Sequence, residues 1–379
     1  MSKNQKLYPF KFEAAGLDEN SVVANGFLSE NTVDDIIETY LGEIAGNDNF
    51  QYYKGIFPIR ISFSSIEKEL PLQTHPDSFT AAERYMALGK EKLWYITKST
   101  PQTTMFMGFK EDMDATAFYN GCTAGTLEEK LHSFNPVAGE YIHIKPGCIH
   151  GVKGALEFIE ISQNSDVTYH LTGEDASLEV AEAIDIIDYN ATDESTCRLT
   201  NINGETEITR SNSFIIKHIG TGTAAGSIPE SFSSAPQESL IAYICLNGSA
   251  TIEHEGKTYE FGKNEIILIP AGMSGFKFTV NGNGSEILEI TLPKVSEIEE
   301  DLYMNYYEDE SNYPTGSGTD PEEDEDFDDD CDCDDVDCDC HGHQHNHSEQ
   351  HLEDEQHLED EHDNDDHKGQ HPGEFFFRR

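Results

Sequence analysis

Basic residues are scarce. Only 24 Lys+Arg stand against 73 Asp+Glu in 379 residues, a formal net charge of −49. So acidic a chain repels phosphate backbones and anionic headgroups, which excludes nucleic acid and membrane surfaces as expected partners. Long apolar runs are missing too. No stretch reaches the roughly 20 apolar residues of a membrane-crossing helix, and the opening MSKNQKLYPFKF has no apolar core of a secretory leader. A cytoplasmic protein with reduced cysteines is therefore expected. Tryptophan occurs once, at Trp94. Cys122, Cys148, Cys197 and Cys245 are scattered and read as small buried apolar residues.

The charge is uneven. From Glu297 to the end, 32 acidic residues face only Lys368, Arg378 and Arg379, a net of −29 in 83 residues, leaving −20 for the rest. Aliphatic residues nearly vanish there, and HLEDEQHLEDEH is a near-repeat. Such a segment buries too little apolar surface to offset its ordering entropy and is expected to be disordered. It is also rich in soft ligands: Cys331, Cys333, Cys338 and Cys340, then His341, His343, His345 and His347. One residue between paired cysteines is too few for a zinc finger, so a flexible tract holding several metal ions is expected.

Before the tail, short β-branched and aromatic runs alternate with Gly, Pro, Asn and Asp, as in KLWYITK, TTMFMGF, ALEFIEIS, SFIIKHI and EIILIPAG. Their spacing predicts an all-β fold. Helical pattern is confined to Thr32–Leu41, Ala81–Leu88 and Leu127–Ser133. Two strand-rich blocks flank a polar stretch near 190–210. Each holds a similar phrase, GEYIHIKPGCIH from Gly139 and GKNEIILIPAG from Gly262, which resembles the second half of the cupin barrel motif. The expected architecture is two tandem jelly-roll barrels with a few short helices, over residues 1–190 and 191–296, followed by the tail 297–379.

Chemistry-bearing residues concentrate in the first block. Gln73 and His75 are two apart and share one face of a strand. His150 closes the Gly139 phrase, and Glu160 lies in FIEISQNSD. Two imidazoles with oxygen donors suit Zn²⁺ or another divalent metal, although a single strand histidine is more often structural. His143, seven residues before His150, should face the opposite side. His254 and Glu255 read as a solvent-exposed hairpin turn, and no metal is expected in the second block.

The order LPLQTHPD, GKEKLWYI, AGEYIHIKPGCIHGV and FIEISQNSDVTYHL closely resembles the short bacterial class I phosphomannose isomerases, over about Tyr8 to Pro293. The resemblance implies an isomerase that interconverts mannose 6-phosphate and fructose 6-phosphate through an enediol, with one Zn²⁺ held by Gln73, His75, a Glu and His150. That Glu belongs to a GKxExWY pattern. Lys92 stands in its place here, and Glu91, one residue early, could serve only if a bulge re-aimed it. A TYRL arginine is replaced by His170, and the usual Trp-Gly-Gly phrase is missing. Glu160 is the expected base, with His170 as a second acid/base and Lys92, Lys145 and Lys153 as phosphate candidates. The altered positions leave a second reading open: a catalytically degenerate cupin that binds a sugar phosphate or metal, with the tail buffering or delivering metal.

Overall fold

The computed structural model describes residues 7–298, apart from 13–15, 173–175, 201, 203–204, 222–229 and 234–235. The Cys/His tract of the tail lies outside the described residues. The fold is mostly strands, in sheets of eight, six and five, with few helices. Among the described residues no helix is long and apolar enough to cross a membrane.

The first block is built from the six- and five-stranded sheets. Lys92–Ser99 and Leu156–Gln163 pair antiparallel at the centre of the six-stranded sheet, with Trp94 opposite Glu160 and Lys92 opposite Ser162. Glu69–Thr74 and His150–Lys153 pair in the five-stranded sheet, with Gln73 opposite His150. Directly opposed residues of antiparallel strands share a face. Trp94, Ile96 and Phe158 therefore meet Met107 and Val152 of the other sheet in one apolar cluster.

The alternate residues face the second block. Leu93, Ile159 and Ile161 join Ile244, Leu268 and Ile290 of the eight-stranded sheet in a continuous core. Full burial of such side chains stabilises by about 1.5–3 kcal/mol each. The two blocks exchange strands as well as side chains. Phe10–Lys11 forms an edge of the eight-stranded sheet beside Ile266–Ile269, whereas Arg198–Leu199 extends the six-stranded sheet.

The helices follow local signals. Thr32 and Asp35 form a reciprocal capping box that starts Val33–Tyr40. Ser78–Tyr85 begins at Asp77, whose carboxylate accepts from the Thr80 N–H at 2.7 Å. Leu127–Lys130 is a 3₁₀ turn that passes at once into the strand Leu131–Phe134, so the expected third helix is cut short. Ala115–Ala124, capped by Asp114, has no counterpart in the sequence reading. His254 departs from expectation too. It is buried, and its ring is held by the Leu7 and Gly275 carbonyls, because the N-terminal segment covers that turn.

Candidate functional site

Pro76 biases His75 towards extended backbone and so ends the strand Glu69–Thr74 with the ring at a fixed position. The Lys145-Pro-Gly-Cys turn locks it there. Gly147 donates its N–H to the His75 carbonyl at 2.8 Å. Its φ is +78°, and a Cβ there would stand 2.6 Å from the Ile186 carbonyl, so glycine is required. The GKEK segment is stitched to the same turn. The Lys90 N–H reaches the Pro76 carbonyl at 3.1 Å, and Gln163 bridges the Glu91 N–H and the Ser78 hydroxyl at 3.0 Å each.

Strand parity then decides what faces inward. Even-numbered Lys92 and Trp94 point between the two sheets, and so do Ser162 and Glu160 from the neighbouring strand. Lys92 Nζ lies 3.3 Å from Glu160 Oε2, and the Trp94 indole N–H donates to the same oxygen at 2.7 Å. From the facing sheet come Gln73, His75 and His150. The imidazole rings are 5.1 Å apart, and the Trp94 ring stands edge-on to His150 at 5.9 Å. Gln73, His75, His150, Lys92 and Trp94 are all buried. The Glu160 side chain, 15% exposed, forms the cluster's outer edge.

The hydrogen bonds fix the ring protons. His75 Nδ1 lies 3.0 Å from the Val167 carbonyl, and His150 Nδ1 lies 3.1 Å from that of Cys148. A carbonyl only accepts, so each Nδ1 carries a proton and each Nε2 keeps its lone pair. The His150 lone pair accepts from Gln73 Nε2 at 3.3 Å. His75 Nε2 and Ser162 Oγ are buried without a hydrogen-bond partner.

Burial and the Lys92 charge push His150 down to about 3. Burial, then Lys92 and His150, hold His75 well below the imidazole range. Both rings are thus neutral at physiological pH. Burial raises Glu160, but Lys92, Lys90 and the Trp94 bond together outweigh it and hold the carboxylate below its ordinary range. Lys90 is lowered to about 8 by burial and Lys92, against the pull of Glu160.

Glu91 does not join this cluster. It immediately precedes the strand Lys92–Ser99, whose pairing runs without a bulge from Lys92, and its side chain turns to the opposite face and meets His143 Nε2 at 2.5 Å. The His143 bond and charge, with bonds from Ser213 and Ser211, overcome the effect of burial and lower its pKa. It ties the two blocks together, and His143 faces away from His150 as expected. His170 also misses the buried centre. It sits on a two-residue edge strand, 49% exposed, with Nδ1 at 2.8 Å from Glu179. Lys145 is exposed, and Lys153 pairs with Glu128 on the surface at 2.6 Å.

Lys90 and Arg60 went unnoticed in the sequence. Lys90 lies in the segment just before the strand Lys92–Ser99, close enough to Lys92 and Glu160 for their charges to act on it. Arg60 is paired opposite Ser162, on the face that carries Lys92, and binds Asp166 at 2.5 Å. Arg60, Asn164 and Asp166 wall a cavity of about 770 Å³ that also meets Val167, the anchor of His75.

The donor set does not suit a resident divalent ion. Among the described residues no three His, Cys, Asp or Glu side chains group closely enough to hold a metal. Of the two cluster histidines His75 keeps an uncommitted ring lone pair, and Glu160 is taken by Trp94 and Lys92. An ammonium already stands where an anionic ligand is needed.

No family model matches the chain. Mannose-6-phosphate isomerase ManA of Bacillus subtilis is 23% identical over 283 residues, 70% of this chain and 84% of that one. The Streptococcus mutans mannose-6-phosphate isomerase is 22% identical over 267 residues, 68% and 81% of the two chains. The chain is similar to curated mannose-6-phosphate isomerases over about two thirds of its length. The solved structures agree on the fold. The Bacillus subtilis enzyme superposes with a TM-score of 0.54 at 19% identity, covering 71% of this chain and 85% of that one. A mutant phosphomannose isomerase from Salmonella typhimurium gives 0.57 at 12% identity, covering 74% and 90%.

Proposed function

We propose that this protein is an aldose–ketose isomerase that interconverts mannose 6-phosphate and fructose 6-phosphate. The curated relatives carry that activity in their names. The observation that carries the reading is Glu160, an ionised carboxylate at the edge of a sealed polar cluster, oriented by Trp94 and flanked by two lysines.

In this reading Glu160 takes the proton from C2 of the open-chain aldose. The C–H electrons form the C1–C2 double bond, and the carbonyl electrons move to O1, which a lysine ammonium stabilises. Protonation of O1 gives the neutral enediol. Loss of the O2 proton and return of a proton from Glu160 to C1 complete the ketose. Lys90, lowered to about 8, is suited to exchange the oxygen-bound protons. The neighbouring cavity has the size of a small-ligand pocket. Arg60 at its wall supplies a cationic partner for the phosphate.

The two blocks are read as tandem cupin jelly rolls, spanning 1–190 and 191–296. The tail 297–379 is read as an appended metal-binding tract, supported by its ligand chemistry alone. Glu160→Gln tests the isomerase reading. It should lower kcat by at least about 10²-fold. An unchanged kcat would remove Glu160 from the chemistry.

A further inference from the structure

The resemblance implies a metal where the structure sets a lysine. We propose that the Lys92 ammonium takes the place of a divalent cation, so that the Gln73–His75–His150 constellation holds no metal ion and the charge facing a bound carbonyl is a fixed side chain. The metal-free character of the site stands on geometry alone; the role of the ammonium rests on the isomerase reading.

Three observations carry it. The first is strand register: Lys92 is paired opposite Ser162 and lies two residues from Trp94, which commits its side chain to the inter-sheet space. No bulge between Lys92 and Trp94 offers another orientation, and Glu91 is drawn to the far face by His143. The second is charge. Lys92 is 4% exposed, and Glu160 is the carboxylate bonded to it, at 3.3 Å. Lys92, with Lys90 nearby, already supplies the positive charge facing Glu160, so a dication would enter against buried ammonium charge with no free carboxylate to receive it. The third is the lone-pair count. Gln73 occupies the His150 Nε2 lone pair, which leaves His75 Nε2 as the free ring donor of the constellation. One free imidazole does not retain Zn²⁺, which takes three or four protein ligands.

The remaining polar atoms fit a small ligand oxygen better than a metal. Ser162 Oγ and His75 Nε2 are both buried and unpartnered. The hydroxyl can donate to a carbonyl or enediolate oxygen brought beside Lys92, whereas His75 Nε2 can accept from a hydroxyl.

The test counts zinc per full-length chain by elemental analysis after dialysis against buffered Zn²⁺. Wild type, His75→Ala, Lys92→Glu and the Lys92→Glu/His75→Ala double variant are compared. Ions held elsewhere, including by the Cys/His tract, are common to all four and cancel in the differences. Wild type and His75→Ala should hold equal zinc. Lys92→Glu, which replaces the ammonium with an anionic ligand, should hold one ion more and lose it when His75 is also removed. If His75→Ala holds one ion fewer than wild type, or if folded Lys92→Glu gains none, the inference fails. If Lys92→Glu does not fold, the comparison of wild type with His75→Ala decides alone. Equal zinc with no turnover of mannose 6-phosphate would sink the isomerase reading and leave this one standing. A His75-dependent zinc ion with chelator-sensitive turnover would do the reverse.

Discussion

Replacing Lys92 by Met keeps an unbranched side chain one heavy atom shorter and deletes its charge. The ammonium lies 3.3 Å from Glu160 Oε2 in a nearly sealed cluster. At an effective dielectric of about 20, that separation corresponds to an attraction of about 5 kcal/mol. Desolvation of both charges offsets much of this in the intact pair, but the variant keeps the desolvated carboxylate without its partner. Breaking a buried pair in this way costs about 3–5 kcal/mol, which is the loss expected in urea denaturation at pH 7. The pH dependence identifies the cause. In wild type, Glu160 sits below its ordinary value, so its contribution is complete at neutral pH and fades only in acid. In the variant, burial dominates and raises the carboxylate above its unfolded value. Its penalty is then largest at neutral pH and shrinks as protonation relieves the charge. The deficit should therefore be smaller at pH 5 than at pH 7, and adding Glu160→Gln should recover most of it. A deficit under about 1 kcal/mol, or one equal at both pH values, would refute the reasoning.

Other expectations follow from the same structure. Gly147→Ala forces a Cβ to 2.6 Å from the Ile186 carbonyl at φ +78°; it should cost upwards of about 1 kcal/mol in thermal unfolding. Glu91→Gln breaks the buried link to His143 and should cost about 3 kcal/mol while leaving KM unchanged, since Glu91 faces away from the cluster; a KM shift without a stability loss would contradict its placement. His150 is pushed down to about 3, so the unfolded chain binds its proton first as the medium acidifies. Its contribution to stability is complete above the ordinary imidazole value and is lost as pH falls towards 3, so the acid limb of a stability–pH curve should flatten in His150→Gln. An unaltered limb would mean that His150 titrates normally.

The sequence revealed the fold class well because short β-branched and aromatic runs bounded by turn residues map onto strands, and the runs KLWYITK and ALEFIEIS became the paired strands at the centre of the first block. The short helix Ala115–Ala124 was hidden because ATAFYNGCTA has no strong apolar stripe, and only the Asp114 cap marks it. Within the site, residue spacing gave only a shared strand face for Gln73 and His75; strand pairing sets Gln73 opposite His150, and which of Glu91 and Lys92 faces inward depends on the absence of a bulge. That is a backbone detail no composition records. His170 misled for a related reason: the sequence gives its place after QNSD but not that its strand is a two-residue edge, where a ring reaches solvent and Glu179. Lys90 and Arg60 acquire meaning only through the pairing that sets them beside Lys92 and Ser162.

Turnover under chelation bears most directly on the whole account. Purified full-length protein, dialysed against excess EDTA, would be mixed with mannose 6-phosphate and the formation of fructose 6-phosphate followed with time. The account predicts conversion that persists in the chelator, does not rise when zinc is restored, and falls by at least about 10²-fold in Glu160→Gln. Conversion lost in the chelator and restored by zinc, or no conversion under either condition, would contradict it.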